Sequence, residues 1–434
     1  MKIIWIILLA VVATFGLTLA IAPTTTLDVW VVRKQAILLT GVTAFALMSL
    51  IMLLAVRPTW LEKPLDGLDR MYRAHKWAGI LAIALALLHY LLELGGPLLA
   101  KFIVKPAKGP RVEAFFDAFR GSAKDLGEWS AWLLAAMLVI TLWQRFPYHL
   151  WRYVHKTLAA VYLVLAFHGV VLAPAGYWTQ PIGWLIALCA AVGSLCALWS
   201  LSGQIGRQRI HQGVVISIDR PGDRVLEATC KLQGRWQHRA GQFAFLTCNR
   251  LEGQHPFTIS SSDRDNGEVR FSIKALGDYT QRLQDSLGVG DPIKVEGPYG
   301  CFNFHREKGE RQVWIAGGIG ITPFLAWLES LQEHPKDSPE VMLFYYVASP
   351  SDAIYASRLR ELCEKLPFID LCIHFSESDG YLQAADLGMQ PDALGRWPSV
   401  WFCGPRVLAA RLRSDLHRQG MPRRCFHLEA FQMR

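Results

Sequence analysis

The sequence has no CxxC pair and no Cys/His spacing of the zinc-holding kind, although it carries nine cysteines in 434 residues. Zinc ribbons and dithiol redox motifs are thereby set aside. It also lacks internal repeats and low-complexity tracts. Ionisable groups are scarce in one region only. Up to about Ser202 the chain is a series of long apolar runs, and beyond that point it reads as ordinary soluble protein. The formal charge of +9 is weak evidence for nucleic acid, and no nucleic-acid partner is expected. The Lys and Arg residues flank apolar runs, where anionic lipid headgroups would meet them. Cys189 and Cys196 lie in the last apolar run and the other seven cysteines beyond it, none in an expected external loop. That distribution suits a reducing cytosolic compartment for the C-terminal half.

Apolar stretches able to cross ~30 Å of hydrocarbon occur at about Ile3–Ala22, Gln35–Val56, Trp77–Leu94, Leu126–Leu142, Leu150–Leu172 and Pro181–Leu201. The first resembles a signal peptide, since Lys2 precedes it and Ala20-Ile21-Ala22 mimics a cleavage site. Pro23 would hinder the peptidase, so it is read as a span. Residues 1–205 are therefore expected to form a six-helix transmembrane bundle with both termini inside. Arg57, Lys63, Arg70, Arg73, Arg145, Arg152, Lys156, Arg207 and Arg209 then fall on the cytoplasmic side, as positive-inside asymmetry requires. The loop bearing Lys101, Lys105, Lys108, Arg111, Arg120 and Lys124 dissents, being basic and external. Arg33, at the outer start of the second span, is a candidate for attracting an anion or chelate.

Four histidines break the apolar pattern: His75 and His89 in the third span, His155 and His168 in the fifth. Polar side chains at membrane depth are costly and mark function by default. Separations of fourteen and thirteen residues are each ~20 Å along a helix. One histidine of each span would lie near each face, making two facing pairs, His75 with His155 and His89 with His168. Each pair is a candidate to ligate the iron of a b-type haem from both sides. Fourteen residues return to within about 40° of one helix face, whereas thirteen miss it by about 140°. The fifth span must therefore bend, carry a bulge or use different ring rotamers. His149, in the loop before His155, is the substitute ligand. The alternative is two interfacial histidines and two that hydrogen-bond a neighbouring helix.

From Gly206 the pattern becomes alternating strands (Val214–Ile218, Phe243–Thr247, Val269–Ile273, Pro292–Val295) broken by Gly and Asp. A small antiparallel barrel over 206–306 is expected. From about Arg311, strands at Val313–Ala316, Val341–Val347, Asp370–Phe375 and Val400–Cys403 alternate with helices at Pro323–Gln332, Ala353–Lys365 and Arg406–Gln419. That alternation implies an α/β domain with a doubly wound parallel sheet over 307–434.

In the barrel, His255-Pro256-Phe257-Thr258-Ile259-Ser260-Ser261 ends a strand. A flavin needs a backbone edge and small hydroxyls near its ring and ribityl chain, which Thr258, Ser260 and Ser261 can supply. Lys274-Ala275-Leu276-Gly277-Asp278-Tyr279-Thr280 then opens a helix whose N-terminus suits a pyrophosphate. Gly297-Pro298-Tyr299-Gly300 makes a tight turn. Gly317-Gly318-Ile319-Gly320-Ile321-Thr322-Pro323 lies between strand and helix, where glycines admit a diphosphate and the helix dipole favours its charge. Cys403-Gly404-Pro405 ends a later strand, where a nicotinamide ring would rest; Cys403 also reads as a small buried residue.

The His-Pro-Phe-Thr-Ile-Ser-Ser run, the Gly-Gly-Ile-Gly-Ile-Thr-Pro run, the Cys-Gly-Pro turn and the two histidine pairs resemble the NADPH oxidase and ferric reductase superfamily. Bacterial single-chain NADPH oxidases are similar over essentially the whole chain. The resemblance implies that His255 to Ser261 contact FAD and that Gly317 to Pro323 hold the dinucleotide. It implies, too, that Phe431 covers the flavin face which nicotinamide must reach. Three residues follow Phe431, where eukaryotic relatives stop. After Val341–Val347 comes Ala348-Ser349-Pro350, where an arginine for a 2′-phosphate would be expected. Ser349 and Arg358 are the remaining candidates, and NADPH and NADH both stay open.

The implied activity is transmembrane electron transfer from cytosolic NADPH or NADH, through FAD and two b haems, to an external acceptor. Thr258, Cys403 and Phe431 would stand at the hydride-transfer site. Oxygen giving superoxide is the first acceptor and a ferric chelate the second. Donation to a periplasmic redox protein through the basic outer loop, and an ion-binding transporter, are readings of other classes. A multi-pass protein of a bacterial inner membrane, with its flavin and nucleotide domains cytoplasmic, is expected.

Overall fold

The structure is a computed structural model and describes residues 2–21, 28–106, 116–143, 146, 148–249, 253–306, 311–335 and 338–429. Phe431, Lys108, Arg111 and Arg145 lie outside the described residues, as do the side chains of His149 and Arg152. The chain divides into two compact units, Met1–Ile205 and Gly206–Arg434.

The first unit is helical: α1 (Lys2–Ile21), α2 (Val29–Ala55), the short α3 (Thr59–Glu62), α4 (Leu68–Leu99), α5 (Arg120–Leu142), α6 (Tyr148–Lys156), α7 (Leu158–Leu172) and α8 (Pro181–Leu201). Asp28 starts α2 by accepting a hydrogen bond from Val31 N at 2.7 Å, a side-chain cap on one of the orphan first-turn amides. Among the described residues five helices, including Tyr153–Leu172 taken through α6 and α7, are long and apolar enough to cross a membrane. The helix at the fourth expected span, α5, begins six residues early and carries Arg120, Lys124, Asp125 and Glu128 in its first turns.

The fifth expected span is broken. Between α6 and α7 the Thr157 amide bonds to Val154 O at 3.1 Å, a tightened turn. Its hydroxyl donates to the same carbonyl at 2.7 Å. Such local competition for a backbone acceptor bends helices. The break falls between His155 and His168, and is one of the three ways in which the thirteen-residue spacing could be met.

The second unit begins with an antiparallel barrel: β1 (Ile210–Gly222), β2 (Val225–Leu232), β3 (Phe243–Thr247), β4 (His255–Thr258), β5 (Glu268–Lys274), α9 (Asp278–Ser286) and β6 (Pro292–Tyr299). Its strand order is β4-β3-β6-β1-β2-β5. The two outer strands meet through a bridge between Ile259 and Phe271 and through Ser260 N to Arg270 O at 2.8 Å, which closes the barrel. Among the barrel strands β2 is absent from the sequence reading, although Leu226, Ala228, Cys230 and Leu232 alternate with Glu227, Thr229 and Lys231, a period of two that marks a strand.

The α/β domain follows: β7 (Arg311–Gly317), α10 (Thr322–Glu333), β8 (Glu340–Val347), α11 (Ala356–Glu364), β9 (Ile369–Phe375), β10 (Ser399–Cys403), α12 (Arg406–Arg418) and β11 (Phe426–Glu429). Its sheet runs β11-β10-β7-β8-β9, parallel throughout. The order reverses between β7 and β10, so their carboxyl ends flank the crevice where such sheets bind ligands. Beneath lies an aromatic core of wholly buried Trp314, Phe324, Trp327 and Trp401.

Candidate functional site

In the helical unit the four histidines form two facing pairs. The His75 and His155 ring centroids lie 6.1 Å apart with planes at 58°; those of His89 and His168 lie 6.4 Å apart at 81°. A metal about 2 Å from a nitrogen of each ring would hold imidazole centroids about that far apart, so both pairs fit an iron between them. The second nitrogens support this. His89 Nδ1 is 2.9 Å from Ile37 O and His168 Nδ1 is 2.7 Å from Ala123 O. A carbonyl there requires Nδ1–H and leaves Nε2 for coordination. His155 Nδ1 has no partner among the described residues, and its ring stacks on Trp151 at 4.6 Å. Around His89 and His168 the wall is apolar, with Leu38, Phe45, Leu165 and Tyr177.

Arg33 is engaged within the bundle. It donates to Leu92 O and Glu93 O, both at 2.9 Å, clamping α2 to the end of α4 beside the Glu93 carboxylate.

In the second unit the glycine runs meet at the switch point. A Cβ on Gly320 would stand 2.2 Å from Cys403 O, and one on Gly404 would stand 2.9 Å from Gly317 Cα. The floor between β7 and β10 is therefore bare backbone, and α10 starts beside it with Thr322 and Pro323. Cys403 itself is wholly buried in the aromatic core, and burial pushes its thiol well above the ordinary range. At this turn Cys403 presents its carbonyl and Pro405 its ring to the glycines of the crevice. At the end of β8, Ser349 is held by Ser351 at 2.8 Å and Asp352 at 3.0 Å.

The two flavin motifs are brought together, because His255 of β4 stacks on Tyr279 of α9 at 3.8 Å. Pro256 and Phe257 lie in β4, half-buried, and Thr258 ends it buried. Lys274 ends β5 and Gly277 caps α9. The Thr280 hydroxyl is taken up locally, accepting from Leu276 N at 2.9 Å and Gly277 N at 3.1 Å. Ser260 and Ser261 are buried. Ser260 Oγ lies 3.1 Å from Arg270 O and 3.0 Å from Ser272 Oγ, within hydrogen-bonding reach of both. Ser261 Oγ accepts from Arg270 N at 3.2 Å. These serines tie the barrel together, while the neighbouring strand edge is what remains for a ligand.

Ser260 also leads into a charge cluster that sequence reasoning missed. Ser272 donates to Glu227 at 2.9 Å. Glu227 receives Arg358 at 3.0 Å and Tyr355 at 3.2 Å, and Glu329 receives Arg358 at 2.6 Å and Arg270 at 2.5 Å. The cluster joins β2 and β5 of the barrel to α10 and α11. Desolvation works against the Arg358 charge, but Glu227 and Glu329 outweigh it and raise its pKa. Burial, then Glu227, pushes the Tyr355 phenol up. Arg358 is thus committed to two carboxylates, unlike the free 2′-phosphate ligand the sequence suggested. Its partner Glu227 is 131 residues away, too remote for any local pattern to reveal.

Three regions of the chain match family models: a ferric reductase like transmembrane component over residues 40–166, an FAD-binding domain over 214–303 and an oxidoreductase NAD-binding domain over 314–394. Together these three regions match the NADPH oxidase and ferric reductase superfamily, a transmembrane component followed by FAD- and NAD-binding domains. The ferric-reductase-like region and the long apolar helices mark an integral membrane protein. Among relatives, respiratory burst oxidase homolog protein E of Arabidopsis thaliana is 27% identical over 43% of this chain and 22% of its own length. The reductase component of propane 2-monooxygenase from Rhodococcus jostii is 27% identical over 43% of this chain. NADH-cytochrome b5 reductase 1 of Dictyostelium discoideum is 29% identical over 39%. The chain spans 54% and 62% of the length of these last two. A flavohemoglobin structure from Malassezia yamatoensis is 20% identical, with a TM-score of 0.49 over 73% of this chain and 85% of its own.

Proposed function

We propose that this chain moves electrons from NADPH or NADH on the cytoplasmic side to an acceptor on the far side of a bilayer, with oxygen as the first acceptor. The observation that carries the reading is the pair of 6.1 and 6.4 Å histidine separations on helices of a ferric-reductase-like region. His75 with His155, nearer the cytoplasm, and His89 with His168, nearer the outside, would each hold one b haem in a six-span bundle. Bound FAD supplies the exchange between a two-electron hydride and single electrons, and the haems supply one-electron relays.

The chain's own residues position these groups. The strand edge from His255 to Ser261, with Lys274 and the α9 start at Gly277 and Thr280, borders the FAD site. Gly317, Gly318, Gly320, Thr322 and Pro323 admit the dinucleotide backbone, and the Cys403-Gly404-Pro405 turn limits how deep the nicotinamide sits. Phe431 would cover the flavin until nicotinamide displaces it. No side chain is needed as a proton donor or acceptor. His89 and His168 would together hold the outer haem, which would supply one-electron transfer to oxygen.

The detergent-purified chain should contain two b haems and one FAD. NAD(P)H should drive cytochrome c reduction that superoxide dismutase abolishes. Full activity with ferric citrate and none with oxygen would transfer the assignment to a ferric-chelate reductase. An absolute requirement for a second protein would favour a periplasmic redox partner. Absence of haem would defeat the proposal.

A further inference from the structure

The hydrogen bonds that orient His89 and His168 share a construction on two different helices. On α2 the acceptor is Ile37 O, and the residue one turn later is Gly41. A Cβ at Gly41 would stand 2.9 Å from both Nδ1 and Cε1 of His89. On α5 the acceptor is Ala123 O, and one turn later comes Gly127. There a Cβ would stand 2.2 Å from Nδ1 of His168. A helical carbonyl already accepts from the amide four residues on. A second donor can reach it only from the side, across the position of that fourth residue's side chain, and glycine leaves the position open.

The other pair lacks this construction at both ends. His155 has no acceptor for Nδ1 among the described residues and rests on Trp151. Glycine is a poor helix former, so two of them at matched offsets from two acceptor carbonyls call for a reason. Gly79 of α4, whose Cβ would meet nothing within 4 Å, shows that helical glycines here need not face a histidine.

We infer that Gly41 and Gly127 are positioning residues: each forms, with the carbonyl one turn before it, a seat that fixes the imidazole plane and tautomer of one ligand of the His89–His168 centre. The inference rests on the proposed haem ligation and assigns neither glycine contact with the iron.

The test uses the full-length protein in detergent, comparing Gly41→Ala, Gly127→Ala and the control Gly79→Ala. Haem per chain, low-spin EPR signals and FAD content are measured. The centres should give separable EPR signals, because their imidazole planes cross at 81° and 58°. Gly127→Ala should lower haem from two per chain to one, keeping FAD and the His75–His155 signal. Gly41→Ala, with the longer approach, should keep two haems but shift the EPR signal and midpoint potential of the His89–His168 centre. Gly79→Ala should change nothing. Alanine favours the helix, so losses at Gly41 and Gly127 would run against the propensity gain. If Gly127→Ala fails to accumulate, Gly41→Ala decides alone. Unshifted wild-type signals in the alanine variants, or an equal effect from Gly79→Ala, would overturn the inference. Fewer than two haems in the wild type would instead overturn the ligation reading.

Discussion

The two units handle buried polar groups in opposite ways. In the helical unit His89 and His168 are partnered by backbone carbonyls of neighbouring helices, with no carboxylate near either ring nitrogen among the described contacts. In the reductase unit Glu227, Glu329, Arg270 and Arg358 are partnered by one another. A backbone partner costs a membrane helix nothing in added charge, whereas an ion-pair cluster must offset desolvation with several contacts at once. Polar groups in lipid thus stay few and neutral, while those joining two soluble domains can be charged and numerous.

The comparison breaks most visibly at the histidines. His89→Ala or His168→Ala should remove one of two haems and cut electron delivery to an external acceptor by more than tenfold. Flavin reduction by NAD(P)H should persist; anaerobic bleaching of the flavin band checks this. A variant with both haems and full delivery would end the ligation reading.

Next is Arg358→Ala, which leaves Glu227 and Glu329 with only Arg270 between them. Breaking a buried pair costs about 3–5 kcal/mol, and the remaining arginine should keep the loss near the lower end. A fall of several degrees in the temperature of flavin release would register it. Arg358→Lys should recover only part, because a single ammonium cannot bridge two carboxylates as a guanidinium fork does.

A smaller effect is expected from nucleotide choice. With Arg358 engaged, Ser349→Arg should raise kcat/KM for NADPH relative to NADH by about tenfold, the worth of ~1.4 kcal/mol from one charge-assisted contact. An unchanged ratio would place 2′-phosphate recognition elsewhere.

The smallest involves a neutral side chain in the barrel. His238 accepts from Trp236 Nε1 at 3.0 Å and meets Ser261 O at 3.0 Å. Trp236 can only donate, so Nδ1 must be bare and Nε2 protonated. Burial lowers the His238 pKa despite that carbonyl and Asp263. A lowered histidine pKa means that the unfolded chain binds the proton more readily. Barrel stability should therefore be complete above the ordinary histidine range and decline as pH falls through it. His238→Gln should flatten that slope in thermal scans between pH 5 and 7.5.

Legibility followed the reach of each interaction. The pairing of His75 with His155 and His89 with His168 could be read from two spacings, because a helix converts spacing into depth. The glycine runs could be read because a strand–turn–helix context is contiguous in the chain. β2 carries a local signal of the same kind, an apolar–polar alternation over Leu226–Leu232, although Glu227 on its polar side is buried as well. Ser260 and Ser261 looked like ligand hydroxyls, yet their partners Arg270 and Ser272 lie on another strand and claim them for the barrel. Arg358 looked available for the same reason. Cys403 was open to two interpretations, and only three-dimensional burial shows its thiol enclosed.

The interruption at Thr157 has a further consequence. It divides the α6–α7 stretch into two rigid levers, each carrying one of the paired histidines, whose rotational phases are set independently. A one-residue deletion inside α6 would rotate His155 by about 100° and leave His168 where it is. In α4, where His75 and His89 share an unbroken helix, the same deletion between them would put one or the other out of phase. Each histidine pair can therefore be re-aimed separately from α6 or α7, while α4 serves as the common ruler for both.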